Sequence, residues 1–595
     1  MGASPDDTLR RPFYFGSDIG PLLGWHHEAA SGRRGDLGVV VCPPVGHEYI
    51  HTHRSLRHLA DACAAAGIPA LRIDYHGVGD SAGVDEDAGR LSAWTDSIRR
   101  AITVLKNDLG CERVGLVGLR LGASLAAMVA SEQDVACLVL WAPCVKGRNY
   151  VRELKTLHLN ACPNADLAAP GLDIEAAGFV YSDETLSALS SVNIETATPR
   201  APRVLIVGRD DLPDDTSLFE RWSAPDRRVE SMRMSGYAEM LREPHYTRVP
   251  REAIADVVAW MSADACAPDA GAPVARHAYD TVALLEHQGG GLREKLMQFG
   301  PGRRLFGVLS EPRDGVAASR PIVILANSGS VHHVGSNRLY TLIARALTNG
   351  GWRCLRMDLS GLGDSVIDEG DRENDPYTST ATADIVCAMR ALKHEYGGAS
   401  FVIGGLCSGA YAAFQAGLAL RDEPIVECLL INPLAFYWKE GMSLEVSPTR
   451  HYKHWSWYMG SVRKLDRWRK LLRGEVELGK IARVVAERLA LLVALKMQRL
   501  RALLAPGADK AAERDDLNRD IGMLVNAGRR VSFFFADGDP GIDLLLTNAR
   551  RTVKRCTAKK TLSIDIIAEA DHTFTTRERR DELIRRVSEH LRERC

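Results

Sequence analysis

An internal duplication is the feature that most constrains how this 595-residue chain can fold. Residues 71–81 (LRIDYHGVGDS) recur as residues 355–365 (LRMDLSGLGDS), and Phe15-Gly16 recurs as Phe299-Gly300, in both cases 284 positions later. A third pair of similar stretches, 117–123 and 404–410, follows in the same order. Similar stretches that occur in the same order and at a nearly constant offset predict two copies of one domain.

The boundaries of the two repeats follow from the residues between them. Residues 264–273 are mostly small and include two prolines, which is typical of a linker. We therefore expect a first domain at 1–263, a linker at 264–278 and a second domain at 279–595. The second repeat is longer than the first, and its extra residues predict a helical lid at 433–515.

Each repeat alternates apolar runs with helical patterns. In the first repeat, the runs 38–42 and 136–141 are continuously apolar, and residues 91–109 have the spacing of an amphipathic helix. Continuous apolar strands are typical of a parallel sheet whose two faces are both covered by helices. The expected fold class is α/β, with two mostly parallel, doubly wound sheets.

The second repeat contains a glycine-flanked turn with cysteine at its centre. An apolar run at 401–406 leads into the sequence Gly405-Leu406-Cys407-Ser408-Gly409, and a helical pattern follows. This is the strand–turn–helix context of a nucleophile elbow, with cysteine in place of the usual serine. The positive end of the following helix favours a thiolate. A cysteine taken alone is more often a small buried apolar residue.

A candidate acid and a candidate base follow later apolar runs. Asp539 comes after the run 531–536, and His572 comes after the run 562–567. Alone, each residue has an ordinary interpretation as a turn or surface residue, but together with Cys407 they predict a Cys407–Asp539–His572 triad. The oxyanion hole would then use the N–H of Ser408 and that of Gly329 or Ser330.

The first repeat lacks this set. Arg120 occupies the nucleophile position, and a guanidinium stays protonated and cannot attack a carbonyl. The acid position holds Asp210 or Asp211, while the histidine position holds alanine or Glu239. We expect this site to be degenerate. Arg120 would either bind an anion or be neutralised by Asp210 or Glu239.

The chain order of strand, elbow, cap, acid and histidine resembles that of the α/β-hydrolase superfamily over nearly the whole of each repeat. The motifs most resemble those of bacterial exosortase-associated and serine-aminopeptidase-like hydrolases. This resemblance implies a fold and a triad, but it does not specify a substrate.

The cysteine favours acyl transfer. Attack on a thioester by cysteine forms another thioester, so the acyl-enzyme keeps its transfer potential. We expect an acyltransferase or thioesterase that moves an acyl group from a thioester, on coenzyme A or a carrier protein, to an alcohol, an amine or water. The alternatives are an ester or amide hydrolase and, from another class, a non-catalytic binding or scaffold protein.

The predicted lid is basic and begins with many aromatic residues. Residues 463–470 form a basic run, and residues 481–504 have a helical pattern. One interpretation is an acyl pocket with a basic face for coenzyme A phosphates or an acidic acyl carrier protein. A second is peripheral membrane contact, and a third is a lid whose basic face is only solvated.

Composition argues against several functional classes of protein. A formal net charge of −1 argues against nucleic-acid binding, and no apolar run reaches the length of a transmembrane helix. The thirteen cysteines include no CxxC pair, and the chain starts with no signal-peptide pattern, so we expect reduced thiols and a cytoplasmic protein. We expect no cofactor and no metal, because His332 and His333 have no ligand partner at useful spacing. These two histidines would contact substrate or belong to a polar loop.

Overall fold

The computed structural model describes residues 9–16, 20–29, 35–161, 171, 173–212, 216–263, 279–315, 320–367, 371–439, 442 and 516–594. The predicted linker at 264–278 and nearly all of the predicted lid lie outside the described residues. Within the described ranges, no helix combines the length and the apolar character needed to cross a membrane.

The first repeat is built around an eight-stranded sheet among its described residues, in the order β1-β2-β4-β3-β5-β6-β9-β10. The first two strands are antiparallel, and the strands from β4 to β10 in this order run parallel. The strands are β1 (Arg10–Phe15), β2 (Leu22–His27), β3 (Leu37–Cys42), β4 (Ala70–Ile73), β5 (Arg113–Leu119), β6 (Leu138–Trp141), β9 (Arg203–Gly208) and β10 (Arg228–Arg233), with a separate pair β7 (Ile174–Ala176) and β8 (Phe179–Tyr181).

Helices cover this sheet, as the alternating pattern predicts. The central strand β3 is buried at every position, so both of its faces are packed. The helices are α1 (His47–Ala65), α2 (Arg90–Thr103), α3 (Leu121–Glu132), α4 (Gly147–Ala161), α5 (Asp183–Ser191), α6 (Ser217–Trp222), α7 (Tyr237–Met240) and α8 (Arg251–Ser262).

The second repeat opens in the same way, with antiparallel strands followed by a parallel pair. The order of its first five strands is β11-β12-β13-β15-β14. They are β11 (Val282–His287), β12 (Gly290–Phe299), β13 (Leu305–Pro312), β14 (Ile322–Leu325) and β15 (Arg353–Met357), accompanied by α9 (Leu339–Asn349) and α10 (Ala381–Tyr396). The predicted α/β class is confirmed for both repeats.

Contacts along the chain define two compact units, Met1–Phe401 with Thr573–Cys595, and Val402–His572. The second unit continues the second repeat with strand order β16-β17-β18-β19. Its elements are β16 (Phe401–Leu406), α11 (Ser408–Ala419), β17 (Ile425–Ile431), α12 (Leu517–Asn526), β18 (Arg530–Ala536), α13 (Pro540–Ala558) and β19 (Leu562–Ile567); the final helix, α14 (Arg577–Arg594), belongs to the first unit. The domain boundaries inferred from the duplication stay a prediction.

The repeated D-x-x-G-x-G-D-S motif folds identically in both copies. In the first, Asp74 accepts from the backbone N–H of Asp80 at 3.0 Å, and the Ser81 hydroxyl donates to the Asp74 carbonyl at 2.7 Å. The second copy has the same two bonds, at 2.9 and 2.7 Å, among Asp358, Asp364 and Ser365. The motif therefore holds a loop in shape in each repeat.

Candidate active site

Cys407 lies on a strained turn between β16 and α11. Its backbone has φ 58° and ψ −111°, and its N–H donates to the carbonyl of Ile431 at 2.9 Å. Arg120 has φ 54° and ψ −123° in the first repeat, and its N–H donates to the carbonyl of Trp141 at 2.9 Å. A non-glycine residue at positive φ costs about 1–3 kcal/mol and persists only where its surroundings impose it. Both repeats therefore keep the elbow backbone, and it carries a thiol in the second repeat and a guanidinium in the first.

The structure brings the predicted acid and base together. Asp539 caps α13, and its Oδ1 accepts from the N–H of Gly541 at 2.8 Å. Its Oδ2 lies 2.7 Å from Nδ1 of His572. The Asp539 side chain is 1% exposed and that of His572 is 26% exposed. The carboxylate is thus held by the helix and, in turn, fixes one nitrogen of the imidazole.

The electrostatics of His572 depend on both neighbours. Burial alone would lower its pKa, but the hydrogen bond to Asp539 and the interactions with Cys407 raise that pKa to about 10. Among the described residues, its buried Nε2 has no hydrogen-bond partner of normal geometry. Such contacts are often long or misaligned in an enzyme without substrate. Protonated His572 can therefore stabilise a thiolate and later deliver a proton.

Sequence reasoning missed one residue of this site, Asn432. It is fully buried, donates to the backbone oxygen of His572 at 2.7 Å and accepts from the N–H of Ala536 at 2.9 Å. Asn432 therefore ties the segment that carries His572 to the end of β18. The first repeat has Ala142 at the corresponding strand end, with a similar positive φ of 47°. A comparison of the two repeats could have identified this position, because asparagine stands in the second repeat where alanine stands in the first.

The structure places each proposed oxyanion residue within its own unit. Ser408 begins α11, where backbone N–H groups have no acceptor within the helix. Gly329 and Ser330 lie in the first unit, in the loop after β14. Buried Asn327 shapes this loop, because it donates to the carbonyl of Val331 at 2.9 Å and accepts from a backbone N–H after β15 at 2.7 Å.

The first-repeat site differs from the prediction. Arg120 donates to the buried Glu48 at 2.7 Å and also pairs with Glu153. The expectation that Asp210 or Glu239 neutralises Arg120 is wrong. Asp210 instead accepts from the N–H of Gly236 at 2.7 Å, and Glu239 lies on the short helix α7. Glu48 and Glu153 come from helices α1 and α4, so spacing around the elbow could not reveal them.

His332 and His333 are buried rather than part of a polar surface loop. The spacing argument that no carboxylate lies near them is wrong. His333 Nδ1 lies 2.8 Å from Asp358 and its Nε2 lies 2.6 Å from Asp80. His333, Asp358 and Asp364 present possible ligand atoms within 4.8 Å of one another, but both nitrogens of His333 already have carboxylate partners. The absence of a metal stays a prediction.

Only the start of the predicted lid can be described. Phe436 is buried and packs edge to face on Phe414 and Phe533, with ring centres 5.1 and 6.2 Å apart. Tyr437 donates to Asp520 at 2.7 Å. These aromatic residues therefore pack within the second unit. The basic stretch 463–470 and the helical stretch 481–504 lie outside the described residues.

Two family models match the chain, one in each repeat. The model described as serine aminopeptidase, S33, matches residues 41–194, and that of the alpha/beta hydrolase family matches residues 323–586. No curated protein matches the chain.

Three of the solved structures that are similar to this chain each cover less than half of it. Est1E from Butyrivibrio proteoclasticus with bound ferulic acid is 16% identical, covers 42% of this chain and 98% of its own, and gives a TM-score of 0.34. A putative hydrolase from Agrobacterium vitis is 19% identical, with coverages of 42% and 98% and a TM-score of 0.30. The lidless serine hydrolase XC6422 from Xanthomonas campestris is 14% identical, with coverages of 43% and 92% and a TM-score of 0.27. At these TM-scores the likenesses carry no argument about activity.

The order of the strands, the two elbows and the two family-model matches lead to one assignment. The chain consists of two α/β-hydrolase domains in tandem.

Proposed function

We propose that the second repeat catalyses acyl transfer through an acyl-enzyme on Cys407. The observation that carries this proposal is the pairing of His572 with Asp539 at 2.7 Å in the same unit as the cysteine elbow, with the second imidazole nitrogen left unpaired among the described residues. A histidine fixed on one side by a carboxylate is the arrangement that activates a nucleophile.

The proposed reaction has two steps. The Cys407 thiolate attacks the donor carbonyl, and the N–H of Ser408 with that of Gly329 or Ser330 stabilises the resulting oxyanion. The intermediate collapses, the bond to the leaving thiol breaks, and protonated His572 gives its proton to that thiolate. Neutral His572 then removes a proton from an alcohol, amine or water, which takes the acyl group and regenerates the Cys407 thiolate and protonated His572.

The donor would be an acyl thioester on coenzyme A or an acyl carrier protein. This part of the proposal depends on the basic lid sequence, since the phosphates of both donors are anionic. Peripheral membrane contact through residues 481–504 would be a second use of the lid. A cytoplasmic location agrees with the described cysteines, none of which forms a disulfide.

Intact-mass measurement with a panel of acyl thioesters tests the proposal. The wild-type protein should gain one acyl group, Cys407→Ala should gain none, and Cys387→Ala should behave as wild type. Cys387 is a matched control because it is a partly exposed free cysteine on α10, outside the proposed triad. A fully active Cys407→Ala, together with an unmodified wild-type Cys407, would refute the acyl-enzyme. No acylation and no turnover of any donor by the wild-type protein would instead favour a binding or scaffold role.

An ester or amide hydrolase is the second candidate, because both family models describe hydrolases. Product analysis separates the two candidates. A hydrolase gives free acid whether or not an acceptor amine is present, whereas a transferase gives the amide in proportion to the acceptor. The same experiment with oxygen esters in place of thioesters identifies the preferred donor.

A further inference from the structure

The loop after β14, here called the oxyanion loop (residues 327–334), packs against the first repeat. Val331 and Val334 are 5% and 0% exposed and belong to the same hydrophobic cluster as core residues of the first repeat. The ring of His332 stacks on that of His53, with centres 4.0 Å apart and planes 10° apart. The Tyr49 hydroxyl lies 3.2 Å from Nε2 of His332. The first repeat therefore forms one wall of this loop.

A buried ion pair fixes the end of the oxyanion loop. His333 binds Asp358 of its own repeat through both Nδ1, at 2.8 Å, and its backbone N–H, at 2.7 Å. Its Nε2 lies 2.6 Å from Oδ2 of Asp80, which belongs to the first repeat, and both side chains are 1% exposed. Asp80 also pairs with Arg356.

A second anchor follows directly after the loop. Buried Arg338 donates to four backbone oxygens in and just after the first-repeat motif, those of Gly77, Gly79, Ser81 and Gly83, at 2.7 to 3.0 Å. The segment that contains the oxyanion loop is thus attached to the first repeat by side chains at both His333 and Arg338.

The contacts of Asp80 recur with the two repeats exchanged. Arg356 pairs with Asp80, and Arg72, its equivalent 284 positions earlier, pairs with Asp364, the equivalent of Asp80. His53 lies 3.1 Å from Asp364, as His333 lies beside Asp80. Each repeat therefore presents the same motif surface to the other, which is the self-complementary arrangement of a two-fold dimer.

We infer that the first repeat is a positioning partner of the second, and that its Asp80 holds, through His333, the loop that contains Gly329 and Ser330, the proposed oxyanion donors. This inference rests on the proposed acyl transfer. It assigns a role to a domain whose own site has lost its nucleophile and histidine. Asp80 touches no reacting atom, so it is a positioning residue.

Two reactions of Cys407 separate positioning from general damage. Alkylation by iodoacetamide needs the thiolate but no oxyanion hole, whereas acylation by a thioester needs both. Asp80→Asn removes the charge that holds His333, so it should lower the acylation rate at least tenfold and leave the alkylation rate within about twofold of wild type. Asp80→Glu keeps the charge and should restore part of the acylation rate.

Asp61→Asn is the matched control. It also removes a buried carboxylate that pairs with a histidine and an arginine, but both partners, His27 and Arg10, lie on strands β2 and β1 of the first repeat. Its acylation rate should fall less than threefold. Equal losses in Asp80→Asn and Asp61→Asn, or parallel losses of acylation and alkylation in Asp80→Asn, would overturn the inference. Should Asp80→Asn fail to fold, His333→Gln provides the same two readouts with the same expected outcome.

Hydrogen exchange of the full chain provides a readout that does not depend on activity. Amide exchange in residues 327–334 should be faster in Asp80→Asn than in Asp61→Asn and wild type. If the wild-type protein accepts no acyl group, the proposed function fails, and this exchange pattern alone decides whether Asp80 holds the loop. Unchanged exchange in Asp80→Asn would refute the positioning role.

Discussion

The substitution Asn432→Ala tests how the segment that carries His572, the proposed base, is fixed in place. Asn432 makes two hydrogen bonds to backbone groups, one to the oxygen of His572 at 2.7 Å and one from the N–H of Ala536 at 2.9 Å. Alanine leaves both groups without these partners. Each unsatisfied buried group costs about 1–3 kcal/mol, and water can reach the half-buried His572, so we expect the free energy of unfolding to fall by about 2–4 kcal/mol.

The substitution should also slow acylation of Cys407. Loss of the bond to the His572 backbone frees the segment that aims the imidazole, and each 1.4 kcal/mol of lost transition-state stabilisation is tenfold in rate, so we expect a loss of about tenfold or more. Urea unfolding and the rate of acyl-enzyme formation, measured on the same samples, give both quantities.

Asn518→Ala is the control for this prediction. Asn518 also bridges two backbone groups of the second unit, the oxygen of Asn548 and the N–H of Thr552, but neither belongs to the triad. It should lose stability and keep its acylation rate. Wild-type stability and acylation in Asn432→Ala, or equal slowing in both variants, would refute the reasoning.

Three further predictions concern charged groups. Arg120→Ala leaves the buried Glu48 without its main partner and should destabilise the protein by about 3–5 kcal/mol in urea unfolding. The folded fraction of this variant should still be acylated at Cys407. Loss of that acylation would contradict a degenerate first site. Interactions with Cys407 help to raise the pKa of His572 to about 10, so Cys407→Ala should lower this pKa, as measured by NMR titration of the imidazole. An unchanged pKa would contradict the interaction between His572 and Cys407. Burial opposes the charge of His333, but Asp358 and Asp80 raise its pKa to about 10, so its stabilising contribution is complete below about pH 6.5 and is lost as the pH rises towards 10. His333→Gln should lack this loss in pH-dependent unfolding, and a wild-type profile would contradict the pairing.

The fold was predictable because its signals are local. Apolar runs mark buried strands, and the glycines around Arg120 and Cys407 mark two turns that both proved to have positive φ. The proximity of Asp539 and His572 followed from a rule of topology, since both come after neighbouring strands whose carboxyl ends meet at one edge of the sheet.

The missed contacts are those between residues far apart in the chain. Asp80 and His333 are separated by 253 positions, and Arg120 and Glu48 by 72, so no spacing rule connects them. The D-x-x-G-x-G-D-S motif was visible only as a marker of the duplication. That its aspartates pair with arginines of the opposite repeat depends on how the repeats pack, and this is decided by surfaces rather than by periodicity.

Peptide mass spectrometry after brief exposure to an acyl thioester tests the central claim most directly. Tryptic cleavage would leave Cys407 as the one cysteine of peptide 394–421, and Cys387 as the one cysteine of peptide 373–390. The proposed mechanism predicts a hydroxylamine-sensitive acyl group on peptide 394–421 that disappears when an acceptor amine is added, with peptide 373–390 unmodified. Product formation without any acyl group on peptide 394–421, or equal acylation of both peptides, would contradict catalysis by a Cys407 acyl-enzyme.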